Sequence, residues 1–170
     1  MKKVSLILVY MLIPVSIVYS AQPADPARLD EVAERGSHVM PFDLEKTLHI
    51  FDKTETGGLQ QVIAKDKSDS EQISLIRKHL ADIAERFGKG DFSGPIRIHG
   101  DDMPGVKLLS TNASKIRFEY QELPNGAQIN YQSDDPQLID AIHQYFDAQL
   151  SDHARHAVGS GHKMHHGHQP

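Results

Sequence analysis

The sequence contains no cysteine. That excludes disulfides, thiolate metal sites and cysteine nucleophiles, and with them the lipid anchor that exported lipoproteins carry on a cysteine at the cleavage point. Also missing are the Gly-x-Ser-x-Gly elbow, a phosphate-cradling loop, the His-Glu-x-x-His metal helix and the dinucleotide fingerprint. No stripe of Lys and Arg occurs, and the formal net charge is −5. Nucleic acid and anionic membrane surfaces are therefore not expected partners. Asp101-Asp102 beside His99 offers carboxylates next to an imidazole, a pairing that acid–base chemistry uses. Neighbours in a turn usually point apart into water, so the expectation leans away from an enzyme.

What is present begins with a leader. Lys2 and Lys3 precede an almost unbroken apolar run over residues 4–18, and residues 18–20 fit a cut between Ser20 and Ala21. Residues 1–20 read as a secretory signal peptide. The run is shorter than the ~20 residues of a spanning helix. The expected mature protein is periplasmic or secreted, free of the membrane once the leader is removed, and more acidic than the whole chain because two lysines leave with it. Its length of about 150 residues suffices for a core without staples.

Residues 21–157 read as a single α+β domain. Asp25-Pro26 is a helix start, with Asp at the cap and Pro at the first helical position, and Gly36 is its stop. A ββα pattern then occurs twice, over 46–89 and 114–156. Residues 47–51 and 59–64 are expected strands around a turn containing Gly57-Gly58, followed by Ile73, Ile76, Leu80, Ile83 and Phe87 at helical spacing. Residues 115–120 and 127–132 flank Pro124-Asn125-Gly126, a strong hairpin signal, and Leu138, Ile139, Ile142, Tyr145 and Phe146 form a second stripe after Asp134-Asp135-Pro136. Laying Gly58 on Gly126 aligns Leu48 with Ile116, Ile50 with Phe118 and Ile63 with Tyr131. The expected architecture is a mainly antiparallel four-stranded sheet with helices on one face, plus the short N-terminal helix. Between the two units, residues 94–105 read as a Pro/Gly loop with a short strand at 96–98. Residues 158–170 read as a disordered histidine-rich tail.

The chemistry-bearing residues are histidines and methionines. The C-terminal region holds His153, His156, His162, His165, His166 and His168, six of the eleven histidines, with Met164 among them. Imidazole suits copper, zinc and nickel, and a thioether favours reduced copper. The final helix is expected to continue through His153 and His156, an i, i+3 pair on one face. Within the domain, His38 and Met40 stand just before Pro41, and His99 and Met103 just before Pro104. A His/Met pair from each loop would make a four-ligand copper site. Strand alternation is expected to put Leu48 and Ile50 toward the helices, and His49 and Phe51 on the opposite face, where His49 is a candidate extra ligand. His79 and His143 read as histidines at the edge of the core.

Residues 36–66, with His38-Val39-Met40-Pro41-Phe42-Asp43-Leu44 and Thr56-Gly57-Gly58-Leu59-Gln60-Gln61-Val62, resemble a group of small exported bacterial proteins. Ile98-His99-Gly100-Asp101-Asp102-Met103-Pro104-Gly105 and Asn125-Gly126-Ala127-Gln128-Ile129 continue the similarity over nearly all of the mature chain. Members of that group often carry the label aspartate carbamoyltransferase. The label is not supported by motifs: the Ser-Thr-Arg-Thr loop and His-Pro-x-Gln segment that hold carbamoyl phosphate are absent, and the transferase needs two domains and roughly twice this length. The resemblance implies export and a shared fold, and no reaction.

The functional expectation is a periplasmic metal-binding protein that buffers or chaperones copper, with zinc or nickel as alternatives at the tail. The other expectation is an interaction module without a metal site, in which the outer sheet face around His49, Phe51 and Val62 docks a periplasmic partner or a second copy. A carbamoyltransferase or other enzyme is the least expected outcome.

Overall fold

A computed structural model describes residues 22–159. The N-terminal helix, α1 (Pro26–Ser37), starts where Asp25 accepts hydrogen bonds from the Ala27 and Arg28 amides at 3.1 Å, satisfying two of the orphan donors at its first turn. Two hairpins follow the same plan: β1 (Thr47–Thr54) with β2 (Gly57–Ala64), then β3 (Arg117–Leu123) with β4 (Gly126–Gln132). Each hairpin leads into a long helix, α2 (Ser70–Gly88) or α5 (Pro136–Asp152). The starts of these helices are fixed by Asp69, which accepts from the Gln72 amide, and by Asp135, which accepts from the Gln137 amide. Two short helices, α3 (Ser93–His99) and α4 (Val106–Thr111), join the halves, and β5 (Ala157–Val158) closes the described chain.

The fold is α+β. The sheet has five strands in the order β3-β4-β2-β1-β5, antiparallel throughout except that β5 runs parallel to β1. The expected four-stranded sheet thus gains an edge strand, because the chain after α5 turns back and the His49 amide donates to the His156 carbonyl at 2.8 Å. The helices are exchanged between hairpins: α2 packs under β3 and β4, whereas α5 packs under β1 and β2. The ββα halves therefore hold each other, and neither helix covers mainly its own hairpin.

The face assignment of the first hairpin is the reverse of the expected one. Thr47, His49 and Phe51 are buried against the helices, with Phe51 meeting Phe146 at 5.2 Å between ring centroids, while Leu48 and Ile50 are only half-buried on the outer face. On β2, Gln60, Val62 and Ala64 point inward, and Leu59, Gln61 and Ile63 outward. Both turns have two residues, Glu55-Thr56 and Pro124-Asn125, so Gly57 is the counterpart of Gly126. A side chain at either would strike backbone: a Cβ would lie 2.1 Å from the Tyr131 carbonyl oxygen at Gly57 and 2.0 Å from that of Val62 at Gly126. Gly58 has a different task, since a Cβ there would meet the Phe146 ring at 2.4 Å. Matching Gly58 with Gly126 was one residue out of step, and in a strand a one-residue slip exchanges every inward for every outward side chain.

Residues 96–98 are helical, within α3, and form no strand. Asp91 accepts from the Ser93 amide at 3.0 Å to start that turn, and Phe92 stacks on Phe87 at 4.0 Å, which pins the segment to α2. Among the described residues, no helix is long and apolar enough to cross a membrane. The expected leader and the histidines of the extreme tail lie outside the described residues.

Candidate functional site

At the β1 end of the sheet the core gives way to a cavity of about 210 Å³. Its wall is built from β1, α2, α3, the end of α5 and the loop between α1 and β1, and includes His38, Met40, His49, His79, His99 and His153. His49 reaches it from the inward face of β1, His99 as the last residue of α3, and His153 as the residue that ends α5. All three are at least 96% buried, with exposures of 4%, 3% and 4%. The His153 ring lies 4.9 Å from that of His99 and 5.7 Å from that of His49, centroid to centroid. Phe42 packs edge-on against both His49 and His79, so the loop carrying His38 and Met40 covers this side of the cavity.

The Nε2 atoms of His49 and His153 are buried and make no hydrogen bond. Leaving a buried polar atom unpaired costs about 1–3 kcal/mol, so two in adjacent rings call for an explanation. Burial pushes the His49 imidazolium down to about 3, with the His79 and His156 charges acting in the same direction. Burial, then the neighbouring His49 and His99, holds His153 well below the usual imidazole range. Both rings are therefore neutral at physiological pH, the form in which imidazole ligates a metal. His79 is lowered by burial as well.

His99 is held differently. Its Nδ1 lies 2.8 Å from Asp152 Oδ2, and the same oxygen accepts from Arg28 Nη2 at 2.8 Å. Arg28 also donates to the His99 carbonyl at 2.6 Å. Burial presses the Asp152 carboxyl upward, but the hydrogen bonds from His99 and Arg28 outweigh it and keep it at about 2. Deeper in the wall, Gln149 Nε2 donates to the Tyr145 hydroxyl at 2.9 Å, and the Tyr131 hydroxyl donates to Gln60 Oε1.

Of the donors expected from sequence, the fold brings His38, Met40, His49, His99 and His153 to one cavity. Met103 does not join them: it is 5% exposed and packed within the main hydrophobic core. It borders an outer groove on the far side of His99 and Asp152, so the two-loop His/Met quartet does not assemble. His156 is also apart. Helix α5 ends at Asp152, and His156 falls in the following turn with Nε2 2.7 Å from Glu45 Oε1. His162, Met164, His165, His166 and His168 lie outside the described residues. His79, Gln149, Asp152 and Arg28 were missed. Only His79 carried a signal, bordering the buried stripe of α2 between Ile76 and Leu80. His143 bridges the Thr54 and Gly57 carbonyls through Nε2 at 3.0 and 2.9 Å, a structural clip on the first turn.

The interaction surface expected around His49, Phe51 and Val62 is likewise interior, since these residues are 4%, 2% and 1% exposed. The outer face carries Leu48, Ile50 and Ile63 in their place. Among the described residues, no three His, Asp or Glu side chains stand ready-made as a coordination shell. Comparison with family models, with curated proteins and with solved structures returned no match for this chain.

Proposed function

We propose that the mature chain is an exported, periplasmic metal-binding protein that buffers or hands on copper, with His49, His99 and His153 as its nitrogen donors. The observation that carries this reading is the pair of buried, neutral imidazoles whose Nε2 atoms have no partner, placed beside a third imidazole held by a carboxylate. A cation would satisfy both orphan nitrogens, and a carboxylate behind a ligating histidine is the usual outer-shell arrangement. The rings are near neighbours and not yet a shell, so binding requires them to turn toward one ion, and the adjoining cavity gives them room. Met40 on the cavity wall supplies the soft donor that favours copper over zinc. The tail from His162 to His168 would act as a weaker collector.

The experiment is a titration of residues 21–159, without the tail, with Cu(I), Cu(II) and Zn(II). The expected result is one tight copper equivalent that His153→Leu removes. A tail-less protein that binds no ion, while the whole chain binds like any protein with the same tail, would overturn the core site.

A second reading, an interaction module, is favoured by one observation. Leu48, Ile50 and Ile63 lie half-exposed together on the outer sheet face, with Leu48 opposite Ile63 in the β1–β2 register. Sedimentation at rising concentration checks for a second copy on that face; a strict monomer counts against it.

A further inference from the structure

Three helices converge on His99 from outside the cavity. Arg28 of α1 reaches across to the C-terminal end of α3, donating to the His99 carbonyl at 2.6 Å, and to the end of α5, donating to Asp152 Oδ2 at 2.8 Å. The same Asp152 oxygen lies 2.8 Å from His99 Nδ1. A carboxylate oxygen can only accept, so at this distance the ring proton sits on Nδ1. In the neutral ring, the form that ligates a metal, a proton held on Nδ1 leaves the lone pair on Nε2. Neither His49 nor His153 has a hydrogen-bond partner at Nε2, whereas the His99 tautomer is dictated by a named neighbour. The His99 side chain is 1% exposed and that of Asp152 13%, so water competes little for this bond.

We propose that Asp152, clamped by Arg28, is a positioning residue that fixes His99 as the Nδ1–H tautomer and so presents Nε2 as the standing donor of the site. The inference rests on the metal reading for its purpose but not for its geometry. Asp152 precedes His153 in the chain and lines the outer groove, while His99 borders both that groove and the inner cavity. One carboxylate, on the residue that precedes His153, thus sets the orientation of the imidazole at the end of α3. Arg28 makes the arrangement durable: its guanidinium reaches both the carboxylate and the backbone of the ring it orients, so α3 cannot swing away from α5 without breaking two charge-assisted bonds.

The test has an arm that needs no metal. Nitrogen-15 imidazole spectra of the metal-free protein at pH 8 report the tautomer of each histidine. The expected wild-type pattern shows the His99 proton on Nδ1. Asp152→Ala removes the acceptor and is expected to move His99 toward the Nε2–H form preferred by a free imidazole. Asp152→Asn keeps an acceptor oxygen and is expected to retain the wild-type pattern. In the second arm, Asp152→Ala lowers copper affinity by about 10- to 100-fold, the usual effect of losing an outer-shell partner, and Asp152→Asn restores most of it. Far-ultraviolet circular dichroism of both variants guards against simple misfolding, and the asparagine variant keeps the question open to test should the alanine one fail to fold. A wild-type His99 carrying its proton on Nε2, or an Asp152→Ala tautomer identical to wild type, would overturn the positioning role whether or not copper binds. A wild-type Nδ1–H pattern in a protein that binds no copper would uphold the positioning and sink the metal reading alone.

Discussion

Position for position, the second hairpin sets Phe118, Ile129 and Tyr131 on the helix side of the sheet where the first sets His49, Gln60 and Val62. The frames are the same: two-residue turns, a glycine after each, and a long helix borrowed from the other half. The fillings differ. Around Tyr131 the packing is aromatic, with Phe118 and Phe146 both at 5.1 Å and Phe87 at 6.3 Å. Around His49 it is imidazole, amide and cavity. Two orphan nitrogens and a void weaken the first end, and nothing in the sheet geometry requires them, because the second end shows that the frame accepts hydrocarbon. A polar, under-packed end that could have been apolar is where a ligand is expected.

The contrast is sharpest for truncation of the apolar end. Ile129 is 0% exposed, and Ile129→Ala should lower unfolding free energy by about 2–5 kcal/mol, read as a shifted urea midpoint with unchanged slope. The same measurement on Gln60→Leu, at the matching position, should show a smaller loss of about 1–3 kcal/mol, set by the buried Tyr131 hydroxyl that loses its acceptor and not by a cavity. Comparable losses at both positions would erase the distinction between the ends.

Acid should unfold the protein from the imidazole end. His49 falls from an ordinary 6.5 to about 3 on folding, chiefly through burial, and His153 and His79 move the same way. A histidine lowered in the folded state takes up protons more readily when unfolded. Its contribution is therefore complete above pH 6.5 and is lost as pH falls from there toward 3. The loss from His49 should be on the order of a few kcal/mol across that window. Stability measured at fixed temperature from pH 7.5 to 4 should fall steeply in the wild type and distinctly less in His49→Leu. Parallel curves would mean that the ring is not buried neutral.

At pH 8 the same His49→Leu variant asks whether the imidazole end is held for function. Removing a ring nitrogen that has no partner, and replacing it with hydrocarbon beside Phe42 and Phe51, should leave the metal-free protein as stable as wild type or raise it by about 1 kcal/mol. Copper affinity should fall sharply at the same time. A destabilised variant would show that His49 makes a contribution to the fold that its geometry does not reveal.

How much of this could be read from the chain follows from where the signals were local. Both hairpins, the stripes of α2 and α5 and the Asp-Pro starts of α1 and α5 were legible, because turn chemistry and helical spacing act over a few residues. The site was legible only as a set of residue types. His38, Met40, His49, His99 and His153 were candidates, but their grouping rested on loop pairs adjacent in sequence, and the fold draws on another principle. The inward face of β1 was decided by whether Gly57 or Gly58 closes the turn, a one-residue choice between two identical residues. Met103 looked like a ligand by proximity to His99, and long-range packing against the core claimed it. Asp152 and Arg28 are 124 positions apart, and no short-range pattern links them. Nor could spacing predict that α5 would stop at Asp152, since that depends on the chain turning back to give β1 its parallel neighbour.

The exchange of helices between hairpins leaves a last, small comparison on the surface. Lys53 on β1 pairs with Asp147 of α5 at 2.6 Å, and Glu122, its counterpart on β3, pairs with Arg77 of α2 at 3.2 Å. The two bridges occupy matching places with the charges reversed. Each ties a hairpin to the helix of the other half, and each is largely solvated, so either alone should contribute no more than about 0.5–1 kcal/mol. Lys53→Ala and Glu122→Ala should therefore each shift the urea midpoint slightly, and 0.5 M salt should remove most of the difference from wild type. If the bridges act only on the local pairing of hairpin and helix, the double variant should show the sum of the two losses. A loss well beyond that sum would mean that the halves are coupled through their exchanged helices, and that the imidazole end feels changes made at the aromatic one.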